Sequence, residues 1–140
     1  MTEQENTNII KQGYADFQRG DIPAILAIFG EDIVFDIPGP SEVPMARQWR
    51  GLQEMREFFA TIDRELQFTE FTPREFIAQG DRVVAVGNYT ANVKRTGKSF
   101  RSEWVMVWRL RNGKAVEFRE YNDTLGWAQA FNVVPRAAGA

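Results

Sequence analysis

Any chemistry this chain performs must run on carboxylates, tyrosine, lysine, arginine, amides or ordered water, because its 140 residues include no histidine and no cysteine. Ser-His-Asp triads, thiolate nucleophiles, disulfides and His-ligated zinc are excluded at once. The acids lack metal-ligand spacing and no glycine loop suits a phosphate, so neither metal nor cofactor is expected. Reactive residue types crowd into SEWVMVWRLRNGKAVEFREYND, residues 102–123. If two strands meet there at Asn112-Gly113, a period of two groups Trp104, Met106 and Trp108 on one face of the first. The same period groups Val116, Phe118, Glu120 and Asn122 on the second. Should these two faces enclose one space, a carboxylate among the rings would be desolvated, its pKa raised, and it could exchange a proton near neutral pH. Glu120 is therefore the sharpest acid–base candidate. The plainer alternative is that it turns to solvent or pairs with Arg101, Arg109 or Arg119 across the sheet. Asp123 is a second candidate base, although a helix N-cap explains it more simply. Tyr89 and Tyr14 can orient a carbonyl or stabilise an enolate, or be core tyrosines with a satisfied hydroxyl.

These residues need elements to hold them. Residues 8–19 place Ile9, Ile10, Tyr14 and Phe17 at helical spacing. Gly20 suits a helix C-cap, and Asp21 with Pro23 opens a second helix over 22–29. EDIVFDIPG, residues 31–39, alternates as a short strand ending at Pro38, and 39–49 is loop. A third helix runs from about Leu52 to Leu66 with Met55, Phe58, Phe59, Ile62 and Leu66 on one stripe. Segments 68–79, 82–94, 99–111 and 114–122 then read as strands of an antiparallel meander, separated by QGD, RTGK and RNGK. Residues 123–131 close as a short helix, and PRAAGA at 135–140 is a frayed tail. Lys94, Arg95, Lys98 and Arg101 form a basic cluster expected at a solvated hairpin tip.

This order describes one domain over 1–140, with a core from about 6 to 134. The class is α+β: three N-terminal helices packed on a curved antiparallel sheet, whose wrap leaves a conical cavity at one end. A net charge of −2 without a basic run argues against nucleic acid. No apolar run approaches the ~18 residues of a membrane span, and the polar start is no targeting peptide, so a cytoplasmic protein is expected.

Three phrases, RGDIPAILAIFGEDIVFDIPGP, VPMARQWRGLQEMREFF and VMVWRLRNGKAVEFREYNDT, resemble the nuclear-transport-factor-like superfamily of cone folds. Within it the sequence is most similar to SnoaL-like proteins, the group of polyketide cyclases and ketosteroid-isomerase-related proteins. The resemblance implies the fold above, but the fold hosts many chemistries. Carried over position by position, the steroid-isomerase base falls on Ile37, its oxyanion acid near Val105 or Met106, and its tyrosine on Gly13 beside Tyr14. The Arg-x-Asp and terminal Asp of epoxide hydrolases fall on Gly87, Tyr89 and Glu120. A histidine common two residues before the strand tryptophan falls on Met106. The cyclase aspartate near the last strand's end corresponds to Glu120 or Asp123.

The resemblance also implies a cavity face comprising Ala85, Gly87, Tyr89 and Ala91, then Trp104, Met106 and Trp108, then Val116, Phe118, Glu120 and Asn122. Tyr14, Asp36, Trp49 and Phe58 join the ligand-contact candidates. Asp36 sits near the mouth in this fold, or is a strand-end residue paired with a basic neighbour. Trp49 lines the pocket or covers the third helix, and Phe58 is largely core. Two functions fit. One is a cofactor-free isomerase, cyclase or dehydratase acting on a small apolar, carbonyl-bearing or cyclic molecule. The other is a non-catalytic ligand-binding or assembly protein. The outer sheet face, with Val105, Val107 and Arg109, is apolar enough to suggest a homodimer, sheet against sheet.

Overall fold

The computed structural model describes residues 1–133. Helix α1 spans Glu3–Gln18 and α2 spans Ile22–Ala27. Strand β1 is Phe29–Asp36, β2 is Gln48–Arg50, and helix α3 is Gly51–Glu65. The long strands follow: β3 Leu66–Gln79, β4 Arg82–Val93, β5 Ser99–Arg111 and β6 Lys114–Tyr121, then helix α4, Thr124–Ala130. The expected frayed tail at 135–140 lies outside the described residues.

Helix α1 begins well before residue 8. The Glu5 amide donates to Thr2 Oγ1 at 3.0 Å while the Thr2 amide donates to Glu5 Oε1 at 3.1 Å, a reciprocal capping box. Helical periodicity alone missed this start because the first turns carry polar residues. At α2, Asp21 caps as anticipated, accepting from the Ala24 amide at 3.1 Å.

The six strands form one mixed sheet in the order β2-β1-β6-β5-β4-β3. Strands β3 to β6 are the anticipated antiparallel meander. Strand β1 departs from it, running parallel to β6, with Phe35 opposite Phe118 and Asp36 opposite Arg119. The segment expected to be pure loop contains β2, which pairs with β1 through Phe35 and Trp49. Turn signals report only on sequential neighbours, so they do not foretell a parallel partner from the far end of the chain. A three-residue strand is too short to display a period.

The Asn112-Gly113 turn has φ of 51° and 78°, the primed geometry whose twist matches the flanking strands. Curvature comes from irregularities between Phe68 and Glu70, between Pro73 and Glu75, and between Arg109 and Leu110. Gly87 faces Pro73, and a Cβ there would stand 2.6 Å from Trp104 Cζ2 and closer still to the Thr72 carbonyl. Only glycine lets the indole lie flat on β4 at this bend.

Helix α1 packs on β3 and β4, and α3 packs on β1, β2 and β3, so the helices fill the concave side of the sheet. The rings of Phe35 and Phe118 stack at 3.6 Å, and those of Phe118 and Trp108 at 4.0 Å. The basic hairpin tip is tied down rather than simply solvated. Arg95 donates to both oxygens of buried Glu65 at 2.9 and 2.8 Å, and Lys94 Nζ donates to the Asp63 carbonyl at 2.6 Å. The Arg95 hydrogen bonds hold the Glu65 carboxyl below its ordinary pKa, despite burial.

Candidate functional site

Between the helices and the concave sheet lies a cavity with about 830 Å³ of atom-free space, counting solvent at its mouth. Strands β4, β5 and β6 deliver Tyr89, Met106, Trp108, Phe118, Glu120 and Asn122 to its wall. Alternation turns one face of β4 inward, since Ala85, Gly87, Tyr89 and Ala91 are all buried while Val84, Val86 and Thr90 are only partly so, yet of these Tyr89 alone lines the cavity; Ala85, Gly87 and Ala91, like Val116 on β6, are core residues. Helix α1 contributes Tyr14, α3 contributes Phe58 and Phe59, and α4 contributes Trp127. The loop after β1 closes one side with Ile37, Pro38, Val43 and Met45.

Glu120 is buried, 7% exposed, and lines this cavity. The Tyr89 hydroxyl donates to its Oε2 at 3.0 Å and Asn122 Nδ2 donates to the same oxygen at 2.6 Å. Neither Arg101, Arg109 nor Arg119 reaches it: Arg101 lies near Glu103, Arg109 pairs with Glu117, and Arg119 pairs with Asp36. Oε1 accepts no hydrogen bond among the described residues. Burial pushes the Glu120 pKa above its ordinary value, and the Asn122 and Tyr89 hydrogen bonds only partly oppose this. The result is a carboxyl fixed at one oxygen, with the other accepting from no described residue.

Two tryptophan–tyrosine pairs support the group. Trp127 Nε1 donates to the Tyr89 hydroxyl at 2.8 Å, which donates onward to Glu120. Trp108 Nε1 donates to the Tyr14 hydroxyl at 2.9 Å, which donates to Met106 Sδ at 3.1 Å. Met106 and Glu120 face each other across β5 and β6, so both chains of donors converge on one patch. Burial, then the Glu120 charge, raises the Tyr89 pKa well above its usual value, and burial does the same at Tyr14. Both hydroxyls thus stay protonated and serve as donors. The thioether is a weak acceptor, so the Tyr14 proton can be redirected to a ligand oxygen at little cost.

Of the residues singled out from the sequence, Tyr14, Phe58, Tyr89, Met106, Trp108, Phe118, Glu120 and Asn122 meet at the cavity. Asp36, Trp49, Trp104 and Asp123 do not reach its wall. Asp123 caps α4, accepting from the Gly126 amide at 2.9 Å. Asp36 ends β1, where Gln48 Nε2 donates to it at 2.9 Å and Arg119 lies at 3.4 Å. Trp49 is buried under the Arg47 guanidinium at 4.0 Å and donates to the Met45 carbonyl. Trp104 is core, stacked against both Tyr14 and Phe71, which also lie beside each other. Sequence reasoning missed Trp127, Val43 and Met45. Trp127 was detectable, since an indole in the turn after the Asp123 cap must face inward; the loop residues carry no period to read.

The SnoaL-like domain profile matches residues 10–118. An NTF2-like protein from Burkholderia xenovorans is 38% identical, with a TM-score of 0.87 over 94% of this chain and 99% of its own. Another, from Burkholderia thailandensis, is 32% identical, with a TM-score of 0.81 over 93% of this chain and 98% of its own. TerC, crystallised with polyporic acid, is 28% identical, with a TM-score of 0.76 over 91% of this chain and 98% of its own. No curated protein matches the sequence.

Proposed function

We propose, on the premise that the chain belongs to the SnoaL-like domain family and takes its NTF2-like fold, that it is a cofactor-free isomerase, cyclase or dehydratase acting on a small, apolar, carbonyl-bearing or cyclic molecule. One observation carries this reading: a buried carboxyl, Glu120, without a cationic partner among the described residues, held by two donors and lining a largely apolar cavity. As the carboxylate it takes a proton from carbon next to the substrate carbonyl through Oε1. As the acid it returns that proton to another carbon or to a leaving oxygen. Tyr14 redirects its hydroxyl to the developing enolate oxygen, and Tyr89 and Asn122 hold Glu120 in place. The polyporic acid of TerC, a neighbour at 28% identity, is consistent with a flat cyclic ligand in such a cone. The second reading, a binding protein without chemistry, is favoured by the apolar Ile37 at the position of the steroid-isomerase base.

The enzyme reading is tested by following deuterium uptake from heavy water into cyclic enones held by the protein. Uptake should rise with pH through a midpoint above the ordinary glutamate value of 4.5, because the carboxylate is the base and burial raises its pKa. Tyr89→Phe removes a hydrogen bond that lowers that pKa, so its midpoint should move upward. A pH-independent rate, or a midpoint unmoved in Tyr89→Phe, counts against Glu120 as the base.

We further propose a homodimer through the outer sheet face. Ile77, Val84, Val107 and Arg119 form one cross-strand row, and Glu75, Val86, Val105 and Tyr121 form the next. Ile77 is 55% exposed and Tyr121 50%, unusual for residues this large and apolar. Sedimentation should find a dimer at micromolar concentration, and Val107→Asp should yield a folded monomer. A native monomer at that concentration overturns the assignment.

A further inference from the structure

The hydrogen-bond ledger of the cavity is lopsided. Its hydroxyl and indole donors are engaged, Tyr89 with Glu120, Trp127 with Tyr89, Trp108 with Tyr14 and Tyr14 with Met106, and one N–H of Asn122 is given to Glu120. The polar atoms without a partner among the described residues are both acceptors, Glu120 Oε1 and Asn122 Oδ1. Glu120 lines the cavity, and Asn122 Oδ1 is buried. The cavity therefore presents a ligand's donor with a carboxylate oxygen that accepts from no described residue.

Charge narrows the choice. Among the described residues no lysine or arginine lines the cavity, so an ionised Glu120 has no counter-charge from them there. A carboxylate or phosphate ligand would set like charges together in an apolar space. An alcohol supplies a donor but leaves the charge uncompensated. An ammonium supplies several donors and the missing positive charge. Tyr14, Phe71 and Trp108 line the space with aromatic rings, surroundings that suit the apolar body of such a ligand.

We propose that the cavity binds a hydrophobic amine, with its ammonium on Glu120 Oε1 and its apolar body among the aromatic rings. This rests on reading the cone as a small-molecule site, and not on any proton transfer to carbon by Glu120. Binding fixes Glu120 as the carboxylate, so wherever the empty site holds a proton there, the complex releases it to solvent.

Three probes of matched shape test this: cyclohexylmethylamine, cyclohexylmethanol and cyclohexanecarboxylate, titrated against the intact chain by quenching of its tryptophan fluorescence. The amine should bind at least about tenfold more tightly than the alcohol, and the carboxylate more weakly than either. Glu120→Gln should bring the amine down to the level of the alcohol and leave the alcohol within about threefold of its native affinity. Calorimetry of the native chain in buffers of different ionisation enthalpy should show proton release with the amine near the Glu120 pKa, and none with the alcohol. That readout stands even if the variant folds poorly. Equal affinity for amine and alcohol, or an amine preference kept by folded Glu120→Gln, overturns the amine proposal but leaves the small-molecule site intact. Failure of all three probes to bind overturns both.

Discussion

Glu120→Gln will lower turnover by about two to four orders of magnitude, the usual worth of a positioned acid–base group. The same change will leave the fold as stable as before, or slightly more so, near neutral pH. Glutamine is nearly isosteric, and its carbonyl can accept from both Tyr89 and Asn122 as Glu120 Oε2 does. What it lacks is the titratable proton. The sign of the stability effect follows from the raised pKa. A carboxyl that is harder to ionise folded than unfolded stabilises the fold below its unfolded pKa, and that contribution disappears as pH rises through the folded value. Thermal melts across this range should show the native chain gaining on the variant only toward acid pH. A marked loss of stability in the variant at neutral pH, with turnover unchanged, would sink the catalytic assignment and leave the binding reading standing.

Trp104→Ala will cost about 3–5 kcal/mol, the range for emptying a large aromatic site. Against a typical total of ~5–15 kcal/mol this brings the domain near unfolding. The indole is 1% exposed and stacks on Tyr14 and Phe71, each at 5.4 Å. It also fills the space above Gly87, where the bend of the sheet brings backbone and ring together. Trp104→Phe should lose clearly less. Its smaller ring leaves a void, but the change removes a buried Nε1–H that has no acceptor among the described residues. Such an orphan costs roughly 1–3 kcal/mol, so its deletion offsets part of the lost packing. Urea midpoints of the two variants measure the difference. A Trp104→Ala loss below about 1 kcal/mol would mean that the site collapses and that the indole does not support the cavity.

The long elements were legible in the sequence because each announces itself over many residues. The period of two grouped Met106 with Trp108 on one face of β5, the family resemblance turned that face and Tyr89 toward a cavity, and the structure has all three at one cavity. Glu120 stood out because a carboxylate alternates with Phe118 on a strand of otherwise apolar inward positions, and that Arg101, Arg109 and Arg119 all turn to other acids is visible only in three dimensions. Trp104 follows the same alternation, yet it belongs to the core, because alternation fixes a face and not a depth. The parallel seating of β1, the short β2 and the inward dip of Val43 and Met45 were not legible. Each depends on a partner distant along the chain, and local sequence carries no mark of it.

The parallel seam between β1 and β6 also bears on how the molecule assembles. Asp36 and Arg119 meet there although they stand 83 positions apart. The meander β3 to β6 joins sequential neighbours through tight turns and can zip locally, whereas this seam must close a long loop before any contact rewards it. A chain emerging from the ribosome therefore exposes β1 until β6 has been made. The apolar hollow that surrounds Glu120 comes into being only at that late docking, so the residue spends the early part of folding as an ordinary hydrated glutamate.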